Sequence, residues 1–131
     1  MSTLKGEFEV TSWNEDAYAQ RDGNRKLSRA EVAGNVSGGV TGTSNVQWLM
    51  SYQPDGTARF VGYQQLEGEI DGRSGSVVIE SNGAFDGSVA SGTWNVVPGS
   101  GTGDWSSLEG AGRFESPKGT KAFFTLDYSF G

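Results

Sequence analysis

The chain has 131 residues, with 10 Lys and Arg against 16 Asp and Glu for a net charge of -6, and it contains neither His nor Cys. This composition excludes a disulfide framework, a thiolate nucleophile, an imidazole-based triad and a His/Cys metal site. The acidic balance argues against a nucleic-acid partner, whose affinity would come from Lys and Arg on phosphates.

A chain of this length forms one domain that buries roughly two thirds of its unfolded surface. The amino-terminal residues lack a charged stretch leading into a long apolar one, and no apolar run exceeds three residues. Neither export nor a membrane partner is expected, and a cysteine-free chain suits a reducing cytoplasm. The 21 glycines are scattered among aromatic and β-branched residues, a pattern that fits turns, bulges and barrel corners.

Turn-forming residues at Pro54-Asp55-Gly56, Asp71-Gly72, Asp86-Gly87 and Pro117-Lys118-Gly119 cut the chain into strand-length pieces. The pieces predict strands over 3-13, 27-37, 43-53, 57-70, 74-86, 89-98, 108-116 and 121-130. The first strand places Phe8 and Val10 inward, the third Val46, Trp48, Met50 and Tyr52. Between the first two strands, the polar segment 14-26 reads as a long loop able to cover a barrel mouth.

The fourth strand is ambiguous: Phe60, Gln64, Leu66 and Ile70 oppose Val61, Tyr63, Glu67 and Glu69, and its glycines would permit a bulge that switches the phase. Farther on, Val77, Ile79 and Phe85, then Trp94 and Val96, face the interior. Phe124, Leu126, Tyr128 and Phe130 give the clearest alternation of all. Long strands, short turns and no convincing amphipathic helix predict an all-β fold, an eight-stranded antiparallel up-and-down β-barrel, with a sandwich as the alternative.

The run Val96-Val97-Pro98-Gly99-Ser100-Gly101-Thr102-Gly103, with Phe8-Glu9-Val10, Trp13, Leu27-Ser28-Arg29-Ala30, Phe60-Val61-Gly62, Gly72-Arg73-Ser74-Gly75-Ser76 and Gly92-Thr93-Trp94, resembles the DUF3224 family over nearly the whole chain. The resemblance implies an eight-stranded barrel similar to those of allene oxide cyclases and dirigent proteins. It does not bring a function with it. A His often stands in the family where this chain has Ser81, so any catalytic role of that His is absent here.

The glycine loop lacks the Gly-Lys-Ser/Thr of a phosphate cradle and opens no amphipathic helix. It reads as a glycine turn leading into a short helical turn and a strand. Asp22-Gly23-Asn24 begins like a calcium loop, but Lys26 and Leu27 stand where the pattern needs Asp or Asn and then Gly. Neither a metal nor a cofactor is expected.

Proton transfer, if any, falls to carboxylates and tyrosines. Glu9 and Glu80 are the candidate catalytic groups, because bulges near Trp13 and Asn82-Gly83 could turn them inward. Trp48, Tyr52, Trp94 and Tyr128 offer flat apolar walls with polar tips, and Gln64 and Ser81 offer hydrogen bonds. The leading expectation is a barrel that binds a small apolar or aromatic molecule. The alternatives are a cofactor-free isomerase or cyclase, and a cavity-free homo-oligomeric interaction domain using outward residues such as Phe123 or Val78.

Overall fold

The computed structural model describes residues 1-117 and 121-130. Its strands are β1 (Ser2–Gln20), β2 (Lys26–Gly38), β3 (Thr41–Tyr52), β4 (Ala58–Ile70), β5 (Arg73–Phe85), β6 (Val89–Val96), β7 (Thr102–Gly103), β8 (Leu108–Pro117) and β9 (Lys121–Phe130). All pairings are antiparallel, and the order β1-β2-β3-β4-β5-β6-β8-β9 closes where β9 pairs with β1. The eight-stranded up-and-down barrel is therefore the fold, and β7 is a two-residue addition on the edge of β5.

Closure follows from alternation. The inward residues Ala58, Phe60, Gln64, Leu66 and Ile70 of β4 are buried, while Val61, Tyr63, Glu67 and Glu69 are exposed. No bulge interrupts β4, whose register with both β3 and β5 is continuous. Its glycines serve close approach instead: a Cβ on Gly62 would lie 2.8 Å from the indole of Trp48, so the glycine leaves the floor on which that ring rests.

The connection after β4 is a two-residue hairpin in which Asp71 (φ 54°) and Gly72 (φ 80°) both take left-handed backbone. Gly56 and Gly87 also have positive φ, as the turn motifs predict. Of the fourth predicted turn, Lys118 and Gly119 lie outside the described residues.

The segment 14-26 is not a loop. β1 runs on to Gln20 and pairs with β2 up to Gln20↔Lys26, leaving a tight connection around Asp22–Asn24 with Gly23 at φ 70°. Two register shifts, between Val10 and Ser12 and between Ala17 and Ala19, break the two-residue period that would have marked the strand. Side-chain polarity does not prevent the ladder, because the backbone supplies it. Partnership with β9 covers only Ser2 to Glu9. Beyond that point β1 stands as an extension of the barrel wall held by β2.

One end of the barrel is plugged. Leu4, Val40, Ile70, Val77, Leu108 and Leu126 are buried there around Trp105, which is 0% exposed. The Trp105 indole N–H donates to the Arg73 carbonyl at 2.9 Å, and the Arg73 guanidinium lies 4.3 Å from the centre of the Phe130 ring. The glycine run delivers this plug through β7 and successive three-residue turns, with Trp105 bonded to Thr102, Ser106 to Gly103 and Leu108 to Trp105. Among the described residues no helix is long and apolar enough to cross a membrane.

Candidate functional site

The opposite half of the interior is not filled. A cavity of about 340 Å³ lies between the sheet walls toward the end that carries the β3–β4 and β5–β6 turns. Trp48 meets Phe60 edge to face with centroids 4.8 Å apart, and Trp94 stacks on Phe124 at 4.6 Å. Phe114 sits between these two pairs, 6.0 Å from Trp48 and 6.4 Å from Trp94. The pairs brace one another, and all five rings line the space.

Gln64 is the buried polar group of this wall, 4% exposed, and its amide donates to Ser44 Oγ on β3. The cavity wall includes no Lys, Arg, Asp or Glu among the described residues. Burial without pairing is costly for a charge, so an apolar wall with a tethered amide is the stable arrangement.

At the rim stands a carboxylate that sequence reasoning missed. The bulge after Val10 changes the phase of β1, so that Trp13 faces inward opposite buried Val32 and Glu15 opposite buried Ala30. Glu15 Oε2 accepts hydrogen bonds from the Ser28 hydroxyl and the Tyr52 hydroxyl, each at 2.6 Å, and Oε1 accepts from the Trp13 indole at 3.1 Å. Lys26 holds its ammonium 4.7 Å from the centre of the Tyr52 ring.

These contacts set the protonation states. Burial raises the pKa of Glu15, but the hydrogen bonds from Ser28, Tyr52 and Trp13, with the charge of Lys26, outweigh it and leave the carboxyl below its usual range. Burial first, then the bond to Glu15 and its negative charge, push the Tyr52 phenol far above the ordinary value. The pair is a carboxylate beside a protonated phenol at neutral pH. Tyr52 therefore presents its oxygen as an acceptor, its hydrogen being spent on Glu15.

Of the residues singled out from sequence, Trp48, Tyr52, Gln64 and Trp94 line the cavity. Ser81 is buried on the inner face, but its hydroxyl donates to the Thr93 carbonyl at 3.0 Å and it is not part of the wall. Tyr128 lies toward the plugged end, edge-on to Phe130 with centroids 5.8 Å apart. Glu9 and Glu80 are exposed on the outer face, where Glu80 accepts a long 3.5 Å bond from Tyr63. The first bulge falls beyond Glu9, and β5 runs from Ile79 to Phe85 in unbroken register with β6, so nothing turns either carboxylate inward.

Sequence reasoning missed Glu15, Trp13 and Ser28 at the rim and Phe114 in the wall. The one available signal was Trp13-x-Glu15, which alternates correctly once the phase is reset at Thr11.

No curated protein matches the chain. A crystal structure of a protein of unknown function from the DUF3224 family of Shewanella oneidensis MR-1 superposes with a TM-score of 0.83 at 27% identity, covering 100% of this chain and 98% of that one. The model of DUF3224, a family of proteins of unknown function, matches residues 4-128, and with the barrel and the glycine-delivered plug in place the chain belongs to the DUF3224 family.

Proposed function

We propose that this barrel binds a small apolar or aromatic molecule in its interior. The observation that carries the reading is the cavity of about 340 Å³, which lies within the usual range of small-molecule sites, roughly 300–1,000 Å³, and is walled by rings with few polar groups. Trp48, Phe60, Trp94 and Phe114 supply apolar area, and the Gln64 amide supplies a fixed hydrogen-bonding group. Affinity would come mainly from that area, at about 25 cal/mol for each Å² withdrawn from water.

The test is native mass spectrometry of protein purified from its own host, with denaturing extraction to identify the passenger. A stoichiometric apolar molecule is the expected result. A barrel that stays empty, and that also fails to take up small aromatic compounds added in excess, would overturn the reading.

A second reading, a cofactor-free isomerase or cyclase, is favoured by the Glu15–Tyr52 contact at the rim. In it the rings hold one reactive conformer and exclude water, while ionised Glu15 stabilises positive charge as it develops. Turnover of the extracted passenger by wild-type protein, lost in Glu15→Gln, would distinguish it from simple binding. An assembly role through outward residues such as Phe123 or Val78 fits a filled barrel better than one with this cavity.

A further inference from the structure

The rim of the cavity differs from its interior in charge and in hydrogen-bonding sense. Ser28, Tyr52 and Trp13 spend their hydrogens on Glu15, and Ser116, another residue of the cavity wall, donates to the Lys121 carbonyl at 3.2 Å. What the wall groups among these leave facing a guest is oxygen, on Tyr52 and Ser116, with the partly exposed Glu15 carboxylate bonded directly behind the phenol and Ser28 fully buried. Deeper in, Gln64 and the rings carry no charge.

A second observation also points to a cation. The Lys26 ammonium already sits over the Tyr52 ring, so this part of the rim accepts positive charge against an aromatic face. Lys26 forms no ion pair with Glu15, since the two ion pairs among the described residues are Arg29–Glu31 and Lys121–Glu7. At contact distance Glu15 is thus held by neutral donors, with the charge of Lys26 acting on it from farther off.

We propose that the cavity takes an amphiphilic amine, with its apolar body among Trp48, Phe60, Trp94 and Phe114 and its ammonium at the rim against Glu15 and the Tyr52 oxygen. This rests on the binding reading above and narrows its ligand class. An ammonium there makes charge-assisted hydrogen bonds to acceptors already fixed in place, so little ordering is paid at binding. A carboxylate on the same apolar body meets like charge and acceptors with no hydrogen to give, and loses on both counts. A neutral hydroxyl can donate but gains no charge interaction, and falls between them.

The experiment is isothermal titration of the full chain at neutral pH with three probes of matched shape: naphthylethylamine, naphthylethanol and naphthylacetate. The expected order is amine, then alcohol, then carboxylate, with at least about tenfold between the first and last. In Glu15→Gln, which keeps the side-chain shape, the gap is expected to collapse to within about threefold while the alcohol still binds. Raising the salt concentration should narrow the wild-type gap, a measurement that does not depend on the variant folding.

A carboxylate bound as tightly as the amine, or a gap that neither salt nor Glu15→Gln diminishes, would overturn the amine assignment and leave apolar binding standing. Failure of all three probes to bind would overturn the binding reading itself.

Discussion

Tyr52 and Glu15 lie 37 positions apart in the chain and share a 2.6 Å hydrogen bond that ties β3 to the extension of β1. Removing the hydroxyl in Tyr52→Phe keeps the ring but leaves the carboxylate one donor short, and is expected to cost about 1 kcal/mol, a value discounted for the partial exposure of the pair. The pH dependence has a definite sign. Because Glu15 is held below its unfolded value of 4.5, the stabilisation is fully present above that pH and is lost as pH falls through the lower, folded value. Urea unfolding should therefore separate the two proteins at neutral pH and bring them together in acid; a difference that grows in acid would refute the assignment. Trp48, Tyr52 and Trp94 could be read from sequence because each sits on a strand of unbroken alternation, whereas Gln64 sits on β4, whose phase the sequence left open. Ser81, a candidate hydrogen-bonding group, is buried, but its hydroxyl is taken by the Thr93 carbonyl, a partner that depends on strand register and leaves no trace in residue type.

Most strands announce themselves. In β9 the two-residue period runs without a break, so its inner face was legible, whereas the glycines of β4 left its phase ambiguous until the continuous register with β3 and β5 settled it. In β1 the period is interrupted twice, and the polar segment 14-26 takes on the statistics of a loop although β1 and β2 pair as far as Gln20↔Lys26. The rim carboxylate was hidden for the same reason, since extrapolating from Phe8 and Val10 places Glu15 outside. The Trp105 plug was equally illegible, because it is delivered by a turn and fits only where β5 offers a residue without a side chain. A Cβ on Gly75 would stand 2.9 Å from the Cβ and Cγ of Trp105 and press on the Thr102 carbonyl. Gly75→Ala is expected to lower stability by about 1–3 kcal/mol through displacement of the indole. Chemical denaturation would measure it, and an unchanged midpoint would mean that the plug is not packed as described.

Across the whole molecule, closure depends on the first and last strands meeting, as in the pairing of Leu4 with Leu126. Contacts of such long sequence separation place the barrel among slow-folding topologies, on the order of milliseconds to seconds. The pairing also makes the wall continuous on one side of the interior, while the buried indole of Trp105 seals one end. A chamber sealed at that end, as the described residues form it, has no through-traffic: a resident molecule must depart before its replacement can enter. Rapid mixing of a loaded barrel with increasing competitor should then give a displacement rate that reaches a plateau equal to the spontaneous departure rate. A rate that kept climbing with competitor would require a second way in, and would place it at the plugged end.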